Sequence, residues 1–373
     1  MFNRIQIETR GLQKVHDLLK EHVGKTYTAV SAEIRYKGAT VFRAAYGSLN
    51  PDGNLAGSAA RIDTHFDLAS LTKLFTTTAF FRIVDTGKLN LDAPVGSILA
   101  AFNGSRTIRP YPNPLNTSEL IYVTPQTDQM VDASAVTFEH LLTHSSGLPA
   151  WLNLREKDTV SERIEMCLTP PFAYPTGTQA LYSDIGYILL GKAIEQVTDR
   201  PLDSAMKMLV TRPLDLSIRY GIVPPDNVAP TEFCQWRQRR LVGEVHDENA
   251  ATLGGIAGHA GLFGTAADVA TLGQIYLDRG GGFVSSRLVA NATRPHIEDR
   301  GLGWMTYTPD GPGGSRMSAR SYGHTGFTGT SIWIDPEREL VCTALTNAVF
   351  YGRDRERLVA FRRAFHDTII EAL

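Results

Sequence analysis

The two ends of this 373-residue chain carry the same kind of pattern, helix combined with β-structure, and this constrains the fold more than any other feature. An amphipathic helix is predicted over residues 8–23, after a short polar segment that is predicted as a strand. The apolar residues of this helix recur at helical spacing on one face: Leu12, Val15, Leu19 and Val23. Two β-rich runs follow and flank Lys37-Gly38, which predicts a tight hairpin.

The pattern turns to β-structure again after about residue 300. The segments SYGHTGF, TSIWIDPE and ELVCTALTN are successive strand candidates, with a turn at Asp335-Pro336-Glu337 between the last two. The final segment places its apolar residues on one helical face: Leu358, Phe361, Phe365 and Ile369. The simplest assembly is an α/β (α+β) fold with one antiparallel sheet of about five strands. Both termini build this sheet, and the two terminal helices cover one of its faces.

The middle of the chain predicts a mostly helical insertion. Helices are predicted over Ser70–Thr86, which ends at Gly87, over Asp184–Val197 and over Ala266–Leu277. Residues 101–137 are rich in Pro, Asn, Thr and Ser, and we predict a loop there. We therefore expect a sheet domain from residues 1–69 and 300–373, a helical domain from residues 70–299, and a functional site at their junction.

Composition excludes several classes of function. Lys and Arg total 37 against 39 Asp and Glu, so no basic excess points to a nucleic-acid partner. No apolar run approaches the roughly 20 residues of a membrane helix, and no membrane partner is expected. The N-terminus lacks the apolar core of a signal peptide, and three cysteines are too few for a disulfide scaffold. Both observations lead us to expect a cytoplasmic location.

Several familiar catalytic motifs do not occur in the sequence, among them G-x-S-x-G, G-x-x-x-x-G-K-[ST] and H-E-x-x-H. The nearest approach to a metal site is the pair His140 and His144, four residues apart, a spacing at which two histidines can share a zinc ion. Because no third ligand is evident, a hydrogen-bonded packed pair is the better interpretation, and no metal site is predicted.

Ser70-Leu71-Thr72-Lys73 is an S-x-x-K sequence at the predicted start of a helix. There the serine oxygen lies near the positive end of the helix dipole, and a lysine three residues later lies on the same face. Burial among apolar neighbours can lower the pKa of such a lysine and allow it to act as a base. The spacing alone is weak evidence, because Ser204-Ala205-Met206-Lys207 fits it equally well.

Two further elements distinguish the two serines. Tyr182-Ser183-Asp184 lies at a loop-to-helix junction, where Ser183 or Asp184 can cap the helix and Tyr182 can either pack or shuttle protons. The sequence His324-Thr325-Gly326 lies on a predicted strand, and its glycine permits a substrate to approach the backbone closely. A related sequence around His259 leads into a helix instead.

S-x-x-K, Y-x-x and [KH]-T-G, in this order, resemble the three motifs of the serine β-lactamase and penicillin-binding-protein superfamily. The segments FDLASLTKLFTT, HLLTHSSGLP, YSDIGYILLGKAIEQVT and GHTGFTGTSIWIDPE are similar to its class C β-lactamase-like branch, which includes family VIII carboxylesterases, D-aminopeptidases and D,D-peptidases. The resemblance covers most of the chain and implies the β-lactamase/transpeptidase-like fold. Chain order then excludes Ser204, which follows Tyr182.

The resemblance implies a role for each matching residue. Ser70 is the expected nucleophile, Lys73 the general base and Tyr182 the proton shuttle, although the last two can exchange roles. The backbone N–H groups of Ser70 and Phe327 are expected to form the oxyanion hole. The remaining candidates are expected to bind substrate: Asp184, His324, Thr325 and Gly326. No cofactor is implied.

Two departures from the β-lactamase pattern bear on the substrate. His324 stands where β-lactamases have lysine and is only partly charged at pH 7 if its pKa is ordinary. Asp184 stands where they have asparagine, and a carboxylate cannot donate a hydrogen bond to an acylamino carbonyl. We therefore expect a carboxylesterase on short-acyl esters, with weak or no β-lactam turnover. The alternatives are a D-amino-acid peptidase or amidase, a β-lactamase, and a non-catalytic penicillin- or peptide-binding protein.

Overall fold

A computed structural model describes residues 9–50, 59–124 and 128–373. The strand expected before residue 8 lies outside this range. The helices are α1 (Thr9–His22), α2 (Thr72–Asp85), α3 (Phe138–Leu142), α4 (Val160–Leu168), α5 (Asp184–Thr198), α6 (Leu202–Met206), α7 (Glu248–Thr252), α8 (Ala266–Leu277), α9 (Ser286–Ala292) and α10 (Arg355–Ala372). The helices predicted in the middle of the chain are confirmed as α2, α5 and α8.

The strands fall into one large sheet and four small pairs. They are β1 (Ala29–Tyr36), β2 (Ala39–Gly47), β3 (Phe66–Asp67), β4 (Ser105–Thr107), β5 (Tyr111–Asn113), β6 (Asn116–Ile121), β7 (Met130–Asp132), β8 (Phe233–Cys234), β9 (Arg239–Arg240), β10 (Phe263–Gly264), β11 (Met305–Thr306), β12 (Tyr322–Thr325), β13 (Ser331–Asp335) and β14 (Leu340–Thr346). The order in the large sheet is β11-β12-β13-β14-β1-β2, and every neighbouring pair is antiparallel.

This sheet confirms the predicted fold class and joins strands from both ends of the chain. Val30 of β1 pairs with Thr346 of β14, so the two ends of the chain meet in the interior of the sheet. The hairpin at Lys37-Gly38 is confirmed, and both residues have positive φ angles, as a two-residue turn of the I′ type requires. The large sheet has six strands among the described residues instead of about five, because the two-residue β11 is too short to leave a sequence pattern. The domain boundaries stay a prediction.

One face of the sheet is covered by α1 and α10, as expected. Val15 and Leu19 from α1 share a buried cluster with Phe361 and Phe365 from α10, and Ile34 of β1 lies in the same cluster. The apolar stripes identified in the sequence are therefore the surfaces that hold the terminal helices on the sheet.

The opposite face packs against α8 and connects the sheet to the helical region. Gly273 of α8 makes this approach possible, since a Cβ atom there would lie 2.7 Å from Ile332 Cδ1 of β13. Leu272, Ile332 and Phe80 belong to one large buried cluster that continues into the helices. The site-bearing helices α2 and α5 are thus fixed to the sheet by a continuous core.

The prediction of a loop over residues 101–137 is wrong in part. Strand β4 pairs with β7, and β5 pairs with β6, so the described part of this segment contains two small antiparallel ladders. Their side chains are mostly exposed, and such strands lack the alternating apolar pattern by which strands are recognised. In the described part of the chain, no helix has both the length and the apolar character needed to cross a membrane.

Candidate active site

Ser70 lies in a short 3₁₀ turn, Ala69–Leu71, directly before α2. The backbone of Ala69 is held at φ 46°, a left-handed conformation that costs energy for a residue with a Cβ atom. The buried carboxylate of Asp67 stabilises this turn, because its Oδ1 accepts a 2.8 Å hydrogen bond from Ala69 N. Its Oδ2 accepts a second bond of 2.6 Å from His246 N, so one carboxylate fixes the entry to Ser70.

Lys73 lies fully buried beneath Ser70, and three oxygens surround its ammonium group. Its Nζ donates to Ser70 Oγ at 3.0 Å and to the main-chain carbonyl of His259 at 3.2 Å. It also lies 2.7 Å from Asp184 Oδ1, an ion pair that joins α2 to the start of α5. The expected proximity of Ser70 and Lys73 is therefore present, together with an ion pair that sequence reasoning did not anticipate.

The pKa of Lys73 is raised above 10.5, contrary to the expectation of a lowered value. Burial acts to lower this pKa, as predicted, but the charge of Asp184 and the contact with Tyr182 more than offset it. Asp184 was expected to face the substrate, yet its carboxylate is engaged with Lys73. The sequence identified Asp184 as a candidate residue, but it did not show that its partner is Lys73, which lies 111 positions away.

Tyr182 completes a compact group with Ser70 and Lys73. Lys73 Nζ lies 4.8 Å from the centre of its ring, and Tyr182 and Ser70 line the same pocket. Burial raises the pKa of Tyr182, Lys73 lowers it and Asp184 raises it, with a net increase. The tyrosine therefore carries its proton at neutral pH.

Ser183 and His144 hold Tyr182 in position. Ser183 caps α5, as one interpretation of the sequence predicted, because its hydroxyl accepts a hydrogen bond from Gly186 N. Its own N–H donates to His144 Nδ1 at 3.0 Å, and the His144 ring lies 4.5 Å from the Tyr182 ring. Burial lowers the pKa of His144 well below 6.5. This histidine is thus a neutral support of the tyrosine.

The turn after β12 forms the opposite wall of the site. His324, Thr325, Gly326 and Phe327 line one pocket together with Ser70 and Tyr182. Gly326 is required for close packing, because a Cβ atom there would lie 2.0 Å from Thr330 Oγ1 and 2.7 Å from Leu68 O. The strand motif selected from the sequence therefore lies beside Ser70, while the oxyanion hole at Ser70 and Phe327 stays a prediction.

His324 is neutral, which corrects the expectation of a partly charged group. The ring is 2% exposed, and burial, followed by the charges of Lys73 and Arg300, lowers its pKa to about 3. Its Nδ1 lies 2.9 Å from the carbonyl of Thr325, which can only accept, so Nδ1 carries the hydrogen. Nε2 is then an acceptor, and the side chain supplies no positive charge to a substrate.

The pocket of about 310 Å³ above Ser70 is lined by four arginines that sequence reasoning missed: Arg300, Arg353, Arg355 and Arg362. Among the described residues, Asp354 is the one carboxylate in its lining. Arg300 and Arg353 are ion-paired with neighbouring carboxylates, at 3.2 Å from Asp299 and 2.6 Å from Glu232. The arginines come from separate loops and from α10, so no local pattern marked them.

Arg362 is buried in this wall and donates at 2.8 Å to two carbonyls, those of Gly326 and Thr330. These bonds hold the turn that carries Phe327. Burial, followed by the nearby charge of Arg355, lowers the pKa of Arg362 to about 9. The guanidinium remains charged at pH 7, and the pocket therefore has a positive wall opposite the serine.

The competing candidates lie elsewhere. Lys207 is exposed, and Ser204 lies in α6, outside the pocket that Ser70 lines. His140 closes the capping box of α3 through Thr137. Across residues 9–50, 59–124 and 128–373, no three or more His, Cys, Asp or Glu side chains are grouped as a metal would require. The His259 segment, set aside in the sequence, contributes its carbonyl to Lys73.

Comparisons with known proteins agree on the class of molecule. The sequence profile of the family described as Beta-lactamase matches residues 15–366. A putative D-alanyl-D-alanine carboxypeptidase of Escherichia coli K12 is 31% identical over 90% of this chain and 82% of its own length. An N-acetylmuramyl-L-alanine amidase of Bacillus subtilis is 30% identical over 92% and 82%.

Two solved structures share the fold. EstCE1, a hydrolase with promiscuous acyltransferase activity, has a TM-score of 0.74 at 19% identity, with coverage of 96% of this chain and 98% of its own. The octameric penicillin-binding protein homologue from Pyrococcus abyssi has a TM-score of 0.67 at 22% identity, with coverage of 95% and 76%. At these identities the likeness concerns the fold alone.

Proposed function

The chain belongs to the β-lactamase family of serine hydrolases, and on this premise we propose that Ser70 is its nucleophile and carries an acyl group during turnover. The observation that supports this most is the hydrogen bond of 3.0 Å between Lys73 Nζ and Ser70 Oγ, with the Tyr182 ring 4.8 Å from the same Nζ. A serine oxygen beside two proton-transfer groups in a pocket is suited to acyl transfer.

The reaction proceeds in two halves. Ser70 Oγ attacks the substrate carbonyl and gives up its proton through Lys73, while the N–H groups of Ser70 and Phe327 stabilise the oxyanion. The leaving group then departs with a proton supplied by Tyr182. Water attacks the acyl-enzyme by the same route in reverse order and releases the acid. An alcohol or amine in place of water gives acyl transfer.

We propose a substrate that bears a carboxylate, because the pocket wall opposite Ser70 contains Arg353, Arg355 and Arg362. This favours the peptidase or amidase alternative over a small neutral ester. The names of the relatives from E. coli and B. subtilis support the same class, since one is a putative D-alanyl-D-alanine carboxypeptidase and the other an N-acetylmuramyl-L-alanine amidase. The proposed reaction is hydrolysis of an amide bond in an anionic peptide that contains D-amino acids.

A carboxylesterase on short-acyl esters is the second candidate, and the neutral state of His324 favours it. Esters need less assistance for departure of the leaving group than amides, and they need no cation on β12. Ester cleavage by the same acyl-enzyme would then be the main activity, with β-lactams poor substrates.

Intact-protein mass spectrometry tests these proposals. The protein is incubated separately with p-nitrophenyl butyrate, benzylpenicillin and a peptide ending in D-Ala-D-Ala, and released products are quantified. We expect adducts on Ser70 and a higher kcat/KM for the peptide than for the ester. Ser70→Ala should abolish adducts and turnover, whereas the matched variant Ser204→Ala should keep both. The absence of any adduct or product would support a non-catalytic binding protein, and faster ester turnover would support the second candidate.

A further inference from the structure

We propose that the Lys73–Asp184 ion pair, and not a Tyr182 phenolate, receives the proton of Ser70. Asp184 makes this possible because it is the counter-ion of Lys73. This inference rests on the proposed function of Ser70 as nucleophile. Asp184 acts through Lys73 and is therefore a positioning residue in this scheme.

The contacts of Lys73 provide the first argument. The Lys73 ammonium donates hydrogen bonds to Ser70 Oγ at 3.0 Å and to His259 O at 3.2 Å, and Asp184 Oδ1 lies 2.7 Å from it as its ion-pair partner. The lysine is fully buried, while Asp184 is 21% exposed. A buried cation requires a nearby negative charge, and Asp184 supplies it at the shortest of the three distances.

The charge balance of the site provides the second argument. Several titratable and charged groups surround Lys73. Tyr182, Asp184 and Tyr187 lie at the start of α5, and His144 follows α3. Asp247 and His259 precede α8, His324 lies on β12, and Arg300 completes the group. Burial lowers the pKa values of His144 and His324, so both are neutral. Asp247 is bonded to His259 at 2.8 Å, and Arg300 to Asp299.

Asp184 thus neutralises Lys73 before any substrate arrives. Ionisation of Tyr182 would add a second negative charge beside this carboxylate, and the pKa of Tyr182 is raised by burial and by Asp184. In a site with asparagine at this position, a phenolate would be the natural partner of the ammonium. The carboxylate removes that need, and with it the reason for Tyr182 to ionise.

The proton transfers then balance as follows. Lys73 Nζ first passes one proton to Asp184 Oδ1 and becomes a neutral amine. The Ser70 Oγ–H bond then breaks, its proton moves to Nζ, and Oγ bonds to the acyl carbon. When the tetrahedral adduct collapses, the leaving group takes the Tyr182 proton, Lys73 replaces it, and Asp184 returns its proton to Lys73. The acyl-enzyme is left with Lys73 as ammonium, Asp184 as carboxylate and Tyr182 as phenol.

A fluorophosphonate probe separates the two possible bases, because its fluoride leaving group needs no proton from Tyr182. The rate constant for labelling of Ser70 is measured by mass spectrometry from pH 5.5 to 10. We expect Tyr182→Phe to label within ~10-fold of the parent protein, and Lys73→Met to be slower by at least ~10³-fold. If Tyr182→Phe labels as slowly as Lys73→Met, Tyr182 is the base and the proposal is overturned.

The pH profile gives the second readout. The pair exchanges no proton with solvent while Lys73 holds its raised pKa, so labelling of the parent protein should be flat from pH 6 to 9. In Asp184→Asn, Lys73 must first lose a proton to solvent, and labelling should be slower by ~10-fold or more at pH 6 and rise with pH. Asp184→Glu should restore the flat profile. An Asp184→Asn profile parallel to that of the parent protein would overturn the proposal.

Glu195→Gln is the matched control, since it makes the same carboxylate-to-amide change on the same helix α5, in a residue paired with Lys192. It should leave the rate and the profile unchanged. Thermal melting shows that each variant is folded. Failure of the parent protein to label at Ser70 would reject the proposed function itself, whereas labelling with the wrong pH profile rejects only the role of Asp184.

Discussion

The hydroxyl of Thr328 donates a 2.8 Å hydrogen bond to the main-chain carbonyl of Asp67, three residues before Ser70. A second bond of 3.0 Å joins Thr330 Oγ1 to Leu68 O. These bonds connect the turn after β12 with the segment that leads into Ser70. The two segments carry the predicted oxyanion donors, so the relative position of those donors depends on two threonine hydroxyls.

Thr328→Val should therefore lower kcat while leaving KM nearly unchanged. The isosteric change removes one of the two threonine hydrogen bonds. A displaced oxyanion donor weakens stabilisation of the transition state more than it weakens binding of the substrate. We expect a loss of ~10-fold in kcat and of ~1–2 kcal/mol in the free energy of unfolding. Steady-state kinetics and urea unfolding measure both quantities.

Thr198→Val provides the control for this change, because Thr198 makes a similar hydroxyl-to-carbonyl bond, to Ile194 O at 2.7 Å, at the far end of α5. It should reduce stability without affecting kcat. An unchanged kcat in Thr328→Val, or a change in KM alone, would show that the Thr328 hydrogen bond does not position the oxyanion donors.

The buried ion pair of Lys73 and Asp184 leads to a prediction for stability. Lys73→Met removes the cation and leaves the mostly buried carboxylate unpaired, which should lower the free energy of unfolding by ~2–4 kcal/mol. In the double variant Lys73→Met/Asp184→Asn no unpaired charge remains, and we expect much of this loss to be recovered although activity stays absent. Urea unfolding of the four proteins measures the coupling, and additive effects of the two changes would contradict the prediction.

The parts of the fold that were predictable are those whose pattern is local. The apolar stripe of α10, with Leu358 and Phe361, and the Lys37-Gly38 turn needed only helical spacing or turn chemistry. Strand β11 is two residues long and β6 is largely exposed, so neither carries an apolar alternation. Their pairing is decided by tertiary contacts that a sequence window does not contain.

The same division holds for the site. Ser70, Tyr182 and His324 could be selected because each lies in a short motif whose order along the chain is informative. The partner of Lys73 and the arginine wall could not, because Asp184 reaches Lys73, and Arg362 reaches Gly326, only in the folded chain. The protonation states of Lys73 and His324 were misjudged for this reason, since burial and distant charges set both.

Buried histidines predict how stability changes with pH. Burial is the main cause that lowers the pKa of His324 to about 3 and of His366 to about 4, and it lowers that of His144 well below 6.5. In the unfolded chain each histidine binds a proton below about pH 6.5. The free energy of unfolding should therefore be constant above this pH and should fall as the pH drops towards 5, by up to ~1.4 kcal/mol per pH unit for each histidine.

Urea unfolding between pH 5 and 8 checks this slope. His366→Gln removes one fully buried histidine at a position remote from the pocket, and its slope should be smaller than that of the parent protein. Equal slopes in the parent protein and in His366→Gln would show that this histidine does not contribute.

The arginine wall predicts how the protein distinguishes charged from neutral substrates. Arg355 lines the pocket, and its guanidinium carbon lies 5.5 Å from the centre of the Phe327 ring. Arg355→Gln should raise KM by ~10-fold for a peptide with a free C-terminal carboxylate and leave kcat nearly unchanged, because one charge-assisted contact is lost. For the same peptide with a C-terminal amide, KM should not change. The difference should shrink with added salt, since Arg355 is exposed to solvent.

Arg357→Gln is the matched control for this test. Arg357 is exposed two residues further along α10, where it donates to Lys25 O at 2.7 Å and lies 3.6 Å from Asp354, and it does not itself line the pocket. Arg357→Gln removes the same charge from the protein, so any long-range effect of net charge on KM would appear in both variants. A KM that rises equally for the acid and the amide in Arg355→Gln, or equally in the two variants, would mean that Arg355 does not recognise the carboxylate. A rise confined to Arg355→Gln and the acid would assign the anionic end of the substrate to this wall.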